Sequence, residues 1–273
     1  MVLRKNIFPR TKGEYLSTGS NVIFTPLNYY VFNFVVLPQY WTMWSEEYTK
    51  HFIISSFLTF MMCSNMLALV LCDTTVKGRF PALNKTRKDE WKYCDKCQTS
   101  MPPRSWHCTI CNTCILKRDH HCFFTSCCVG FHNHRHFMMY LFYTALTTMY
   151  ASYFNFRYAY DTTDVEYTWM TLVKLLFPML SVFFIKWSLH HLYLLVIFET
   201  FAFGLMCCFM LVWCGYFISR NMVIFDKEHS KRYRKSVMEN VQVVFGRKWY
   251  LVWQGPWVSS ELPCDGTHWD KYM

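Results

Sequence analysis

Three stretches of this chain carry no charged side chain: Asn21 to Trp44, Phe52 to Cys72 and Phe137 to Phe156. Each reaches the roughly 20 residues that a helix needs to cross the hydrocarbon core of a bilayer. Blocks of this length are too long for a soluble core. They point instead to spanning helices, which satisfy every backbone polar group internally. Composition agrees, with 53% hydrophobic and 20% aromatic residues among 273. Arg4, Lys5, Arg10 and Lys12 precede a full-length span rather than a short apolar core, so the pattern of a cleaved signal peptide is missing and the first span is expected to stay.

The formal charge of +10 raises nucleic acid as a partner. The basic residues, however, sit at the ends of apolar blocks, where membrane lipid headgroups or a phosphate-bearing cosubstrate account for them, so no nucleic-acid partner is expected. Three basic segments, the N-terminus, the stretch from Lys77 to Lys92 and the tail from Lys227 to Lys235, read as cytosolic. Glu46 and Glu47 after the first span, and Asp161, Asp164 and Glu166 after the third, suit the opposite face. Parity then requires one more crossing, although Trp169 to Ser219 is long enough for two.

The resulting division is a cytosolic N-terminus (1–20), spans at 21–44 and 50–72, a cytosolic loop (73–136), a third span (137–158), a luminal loop (159–186), a fourth span (187–217) and a cytosolic tail (218–273). Within the luminal loop, 169–186 is expected to lie in or dip into the interface because Lys174 and Pro178 interrupt it. Glu199 falls inside the fourth apolar block, where an ionisable group either lines a cavity or lies near the end of a shorter helix. Cys207, Cys208 and Cys214 read as small buried hydrophobes.

Eight of the fourteen cysteines fall between Cys94 and Cys128 with paired C-x-x-C spacing, which in a reducing compartment signals metal ligation rather than disulfides. Cys94, Cys97, His107, Cys108, Cys111, Cys114, His121 and Cys128 make six thiols and two imidazoles, enough for two closed four-coordinate zinc sites. Asp119, His120 and Cys122 remain, with the composition of an activated sulfur nucleophile. In an extended strand, His120 and Cys122 face one way and His121 the other, so one histidine can serve catalysis and the other a metal. His132, His134 and His136 alternate with other residues near the interface and are expected to be solvated rather than to bind a third metal.

The spacing C-x2-C-x9-HC-x2-C-x2-C-x4-DHHC-x5-C-x4-N-x3-F, completed by Asn133 and Phe137, resembles the signature of the DHHC family of protein S-acyltransferases. Thirteen specified positions are filled within 94–137. In the tail, Asn240, Phe245 and Gly246 are similar to the family's C-terminal cytosolic motif, and the residues that follow are similar to the end of a short-tailed member. The resemblance implies an all-α membrane protein with four transmembrane helices and a cytosolic, zinc-binding β-hairpin domain between the second and third. It implies two structural zinc ions, one on Cys94, Cys97, His107 and Cys114 and the other on Cys108, Cys111, His121 and Cys128.

The resemblance further implies that Cys122, deprotonated by His120 with Asp119 orienting the imidazole, takes a palmitoyl or other long acyl chain from acyl-CoA and passes it to cytosolic cysteines of membrane-associated proteins. Arg104, Lys117 and Arg118 are candidates for the CoA phosphates, and Tyr143, Thr147 and Tyr150 for the wall of an acyl cavity. Family habit suggests the endoplasmic reticulum or Golgi. Three segments depart from the family: Phe123 to Cys127 where most members have Pro-Trp-Val-Asn-Asn, Asp73 to Thr75 in place of Asp-Pro-Gly, and Met222 to Phe225 near the usual Thr-Thr-x-Glu. These substitutions make a zinc-stabilised scaffold with weak or no catalysis the alternative.

Overall fold

The computed structural model describes residues 2–76, 91–162, 189–224 and 235–269, with isolated positions between them. Among the described residues, four long helices carry the chain: α1 (Lys12–Val31), α2 (Glu46–Leu71), α3 (His134–Thr162) and α4 (Leu189–Ser219). Between α2 and α3 lie six three-residue strands, β1 (Lys92–Cys94), β2 (Thr99–Met101), β3 (Trp106–Cys108), β4 (Thr113–Ile115), β5 (His120–Cys122) and β6 (Cys127–Val129). A short helix, α5 (Val237–Phe245), follows α4. Segment 169–186, expected in the interface, falls almost wholly outside the described residues, as does Trp187.

Among the described residues, Glu46–Leu71 and Tyr193–Ser219 are long and apolar enough to cross a membrane. Large apolar side chains on them point outward, including Ile53, Phe57, Phe60 and Leu67 on α2 and Phe209 and Val212 on α4. A water-soluble surface does not carry such patches, whereas lipid accommodates them. α1 starts at Lys12 rather than Asn21, and its first turn includes Glu14. After Val31 the helix widens into a π turn over Phe32–Val36 and tightens into a 3₁₀ turn over Leu37–Gln39, with Pro38 at the start of the latter. Proline has no N–H to continue a helix beyond that point.

The chain forms two compact units. One comprises Ile23–Met62 and Leu141–Met210, and an aromatic cluster of Phe32, Tyr48 and Phe154 with Val36 and Leu37 fills its core. Several polar side chains within it are paired, as the low dielectric favours. Ser55 donates to Asn33 Oδ1 at 2.6 Å, Tyr48 donates to the Asn33 carbonyl at 3.1 Å, and Thr200 donates to Asn28 Oδ1 at 2.6 Å. Glu199, left open between a cavity and a helix end, has Asn28 beside it. Of the candidate wall residues, Tyr143 is buried, Thr147 bonds back to the Tyr143 carbonyl and the Tyr150 hydroxyl meets His51 Nδ1.

The other unit comprises Met1–Val22, Cys63–Tyr140 and Leu211–Met273. Its strands form three separate antiparallel hairpins, β1 with β2, β3 with β4 and β5 with β6. Two-stranded hairpins this short are not stable alone, so cross-links must supply what burial cannot. Further backbone bonds tie the hairpins to the chain on either side of α2. The N–H groups of Leu116 and Val76 reach the carbonyls of Thr74 and Cys114 at 2.9 Å each, and Leu3 bridges Cys72. Asp73 to Thr75, which replace the family's Asp-Pro-Gly, thus act as an extra edge along β4.

Asn133 fixes the start of α3. Its side chain accepts the Gly130 N–H at 2.8 Å and donates to the Cys128 carbonyl at 2.9 Å. A Cβ on Gly130 would lie 2.7 Å from both the Leu116 carbonyl and Thr74 Oγ1. Gly130→Ala is therefore expected to destabilise this unit by about 1–3 kcal/mol, the usual cost of overpacking. A thermal melt in detergent checks this, and an unchanged Tm would contradict the close approach. In the tail, Asn240 donates to the Ser219 and Lys235 carbonyls at 2.8 and 3.0 Å, anchoring α5 to the end of α4. Gly246 has φ +81°, and a Cβ there would press on the Ser260 backbone.

Candidate active site and metal centres

The three hairpins interleave their ligands. Cys94, Cys97, His107 and Cys114 gather in one group and Cys108, Cys111, His121 and Cys128 in a second, with the ligand atoms of each group within 4.8 Å of one another. In the first group His107 Nδ1 lies 3.6, 3.3 and 3.9 Å from the sulfurs of Cys94, Cys97 and Cys114. In the second, His121 Nδ1 lies 3.6, 3.4 and 3.5 Å from those of Cys108, Cys111 and Cys128. A tetrahedral zinc with its usual bond lengths needs sulfur-to-nitrogen edges of about 3.6 Å and sulfur-to-sulfur edges of about 3.8 Å. The Cys111 to Cys128 separation of 3.7 Å matches the latter. Both groups thus have the donor set and the dimensions to hold zinc.

β5 alternates as an extended strand must. His121 faces the second ligand group, whereas His120 and Cys122 share the other side. In the hairpin register His121 stands opposite Cys128 and Cys122 opposite Cys127. Asp119 is buried, and its Oδ2 is 2.8 Å from His120 Nδ1. Its Oδ1 accepts the backbone N–H of Ile224 at 3.0 Å. The His120 ring lies edge-on to Phe137, with centroids 4.9 Å apart, and Cys122 is near enough to it to interact electrostatically.

The electrostatics follow from this chain of contacts. Burial would raise the Asp119 pKa, but the His120 hydrogen bond and the Ile224 amide hold it at about 2. Burial would likewise lower that of His120, yet Asp119 and Cys122 lift it to about 9. For Cys122, burial pushes the thiol up, and the His120 contact outweighs it, so the net shift is downward. A thiol beside a protonated imidazole is a thiolate, the nucleophilic form of sulfur. The neighbouring Cys127 has no imidazole partner; burial pushes it up to about 12, and its sulfur meets the Thr125 hydroxyl at 3.3 Å and the Leu69 carbonyl at 4.0 Å.

Two expectations need correction. Arg104 and Lys117 do not form an open cradle for phosphates: they are 5% and 3% exposed. Arg104 donates to the side chain and carbonyl of Asn221 at 3.1 and 2.6 Å and stacks on Tyr233 and Trp269, while Lys117 lies over Trp269. Arg118 donates to the His107 carbonyl at 3.2 Å. Arg104→Gln is accordingly expected to lower stability by about 1.5–3 kcal/mol, the worth of hydrogen bonds made by a charged group, and to leave the KM for any phosphate-bearing cosubstrate unchanged. A raised KM with unaltered Tm would restore a phosphate role. Second, His134 and His136 are buried rather than solvated, because α3 begins at His134 and carries both inward.

The profile of the DHHC palmitoyltransferase family matches residues 87–231. The chain is also 31% identical over 209 residues to a probable palmitoyltransferase, ZDHHC24, of Rattus norvegicus, covering 75% of this chain and 72% of that one. With the protein of the same name in Homo sapiens it shares 30% over 217 residues, 78% of this chain and 75% of that one. This chain belongs to the DHHC palmitoyltransferase family. A putative ZDHHC-type palmitoyltransferase 2 of Dictyostelium discoideum is 31% identical over 275 residues, 89% of this chain but 58% of that protein. Membership makes it a membrane protein and an enzyme of protein S-palmitoylation. Ile224, near where the family has Thr-Thr-x-Glu, meets Asp119 through its backbone amide.

Proposed function

We propose that the protein transfers a long acyl group, palmitoyl above all, from acyl-CoA to cytosolic cysteines of membrane-associated proteins through an acyl-enzyme on Cys122. The observation that carries this reading is the buried Asp119 carboxylate 2.8 Å from His120 Nδ1, with Cys122 on the same face of β5. The Cys122 thiolate attacks the thioester carbonyl, and the tetrahedral adduct expels CoA, whose sulfur takes the proton held on His120. A substrate thiol then gives its proton to His120 and attacks the acyl-enzyme, and Cys122 leaves as the thiolate. The order is ping-pong. Exchange of one thioester for another is nearly balanced in energy, so the catalyst contributes chiefly proximity and an ionised sulfur.

Zinc on each ligand group would hold β5 in place without entering the chemistry, since four protein ligands leave no open position. Four helices, α1 to α4, cross the membrane in this reading, with the hairpins and the tail in the cytosol on endoplasmic reticulum or Golgi membranes. Labelling with an alkyne fatty acid tests the reaction: membranes containing the protein should transfer hydroxylamine-labile label to a cysteine of a coexpressed substrate. A tag at Met273 should be cleaved by protease from the cytosolic side of intact vesicles. Label confined to other proteins, or a protected tag, would contradict the reaction and the topology respectively.

A further inference from the structure

We propose that Glu14 and Arg10, at the start of α1, form an outer shell around the Cys108, Cys111, His121 and Cys128 site, so that the first helix holds that metal and, through His121, the catalytic strand. Glu14 is 0% exposed although it carries a carboxylate and lies only a few residues into the chain's first helix. Its two oxygens have separate tasks. Oε2 accepts the backbone N–H groups of Arg10 and Thr11, both at 2.8 Å, while Thr11 Oγ1 accepts the Glu14 N–H at 3.2 Å. This is a reciprocal capping box. Oε1 lies 3.0 Å from Nε2 of His121, the ring nitrogen turned away from the three thiols.

Capping alone does not require a carboxylate to be buried against a histidine 107 residues away in the chain. A metal-bound imidazole, by contrast, donates its outer N–H to a carboxylate or carbonyl, which fixes the tautomer and makes the ring a stronger ligand. Arg10 adds a second contact of the same kind, Nη1 to Cys111 Sγ at 3.3 Å, a charge-assisted donor to what a metal would make a thiolate. The first ligand group offers a contrast: His107 Nε2 is buried and has no hydrogen-bond partner among the described residues.

The same face of α1 continues along the residues after Cys122. Ser17 donates to the Phe123 carbonyl at 2.8 Å, and the Thr18 hydroxyl meets that of Ser126 at 2.7 Å. The catalytic strand is therefore clasped by α1 at its metal ligand and again just beyond its nucleophile. Glu14 and Arg10 are positioning residues, acting on Cys122 through His121.

The inference rests on the reading that both groups hold zinc, and the test separates the two. Purified protein in detergent is assayed for zinc content and for release to the chelator 4-(2-pyridylazo)resorcinol. Wild type without two equivalents refutes the zinc reading itself. Given two, Glu14→Gln should release one equivalent about 10–100-fold faster and leave the other unchanged, and only half of the ligand-field absorption of the cobalt-substituted protein should shift. Thr11→Ala removes the cap while sparing His121, and should alter neither.

Because the two ligand groups interleave, general loosening would speed both equivalents. That outcome, equal acceleration in Thr11→Ala, or no change in Glu14→Gln would each overturn the inference. Should Glu14→Gln fail to fold, Arg10→Met carries the same comparison, with one equivalent released faster as the supporting result and both or neither as the contrary one.

Discussion

Cys122→Ser is expected to lose the hydroxylamine-labile acyl label altogether and to lower transfer by at least about 10³-fold while retaining both metal ions. Removing a nucleophile that forms a covalent intermediate has effects of this size or larger. Zinc content should not change, because Cys122 belongs to neither ligand group. A serine in its place presents a hydroxyl whose pKa lies far above that of a thiol, and His120 cannot ionise it as it does sulfur. His120→Ala should cost about 10²–10⁴-fold through loss of proton transfer. The double substitution should be little worse than Cys122→Ser alone, since groups acting as one unit are not additive. Equal labelling of wild type and Cys122→Ser would remove this residue from the mechanism.

Cys97→Ser and Cys111→Ser should each release metal and abolish acylation together, despite lying in different ligand groups. The reason is the order of ligands along the chain. β3 carries His107 of one group and Cys108 of the other, and β5 carries His121 beside His120 and Cys122. The β3–β4 hairpin, with His107 and Cys114 in one group and Cys108 and Cys111 in the other, joins the two sites. Metal binding to such a domain supplies about 10–16 kcal/mol of folding free energy at neutral pH, far more than three-residue strands recover by burial. Loss of either ion is thus expected to release the β3–β4 hairpin from its partner and displace β5 with Cys122, while the other group keeps its own ion. Metal analysis and labelling of the same samples check this, and full activity with one equivalent of zinc would contradict a structural role for both.

Much of the site was legible because its chemistry is written at fixed spacing. The ligand total for two sites and the opposed faces of His120 and His121 followed from counting thiols and from strand alternation, the partition of ligands came from the family resemblance, and the structure gathers the ligands as those two groups. What sequence could not show is pairing between segments far apart in the chain. Arg104 reads as a free cation beside a catalytic strand, but its guanidinium is taken by Asn221, more than a hundred residues away. His134 and His136 look solvated until α3 is seen to begin at His134.

Glu14 offered a signal that local reading could have used: Thr11 and Glu14 have the T-x-x-E spacing of a capping box, which also places the start of α1 before the uncharged run. Its second task, on His121, depends on tertiary contact and had no local sign. The Ile224 amide was invisible for a related reason, since a backbone donor leaves no trace in side-chain identity.

Intact-mass and peptide analysis of purified protein mixed with palmitoyl-CoA in detergent tests the central claim most directly. The expected result is one acyl adduct on the peptide bearing Cys122, formed without any protein acceptor and removed by hydroxylamine. Protein that holds two equivalents of zinc yet gains no adduct on Cys122 would contradict the account.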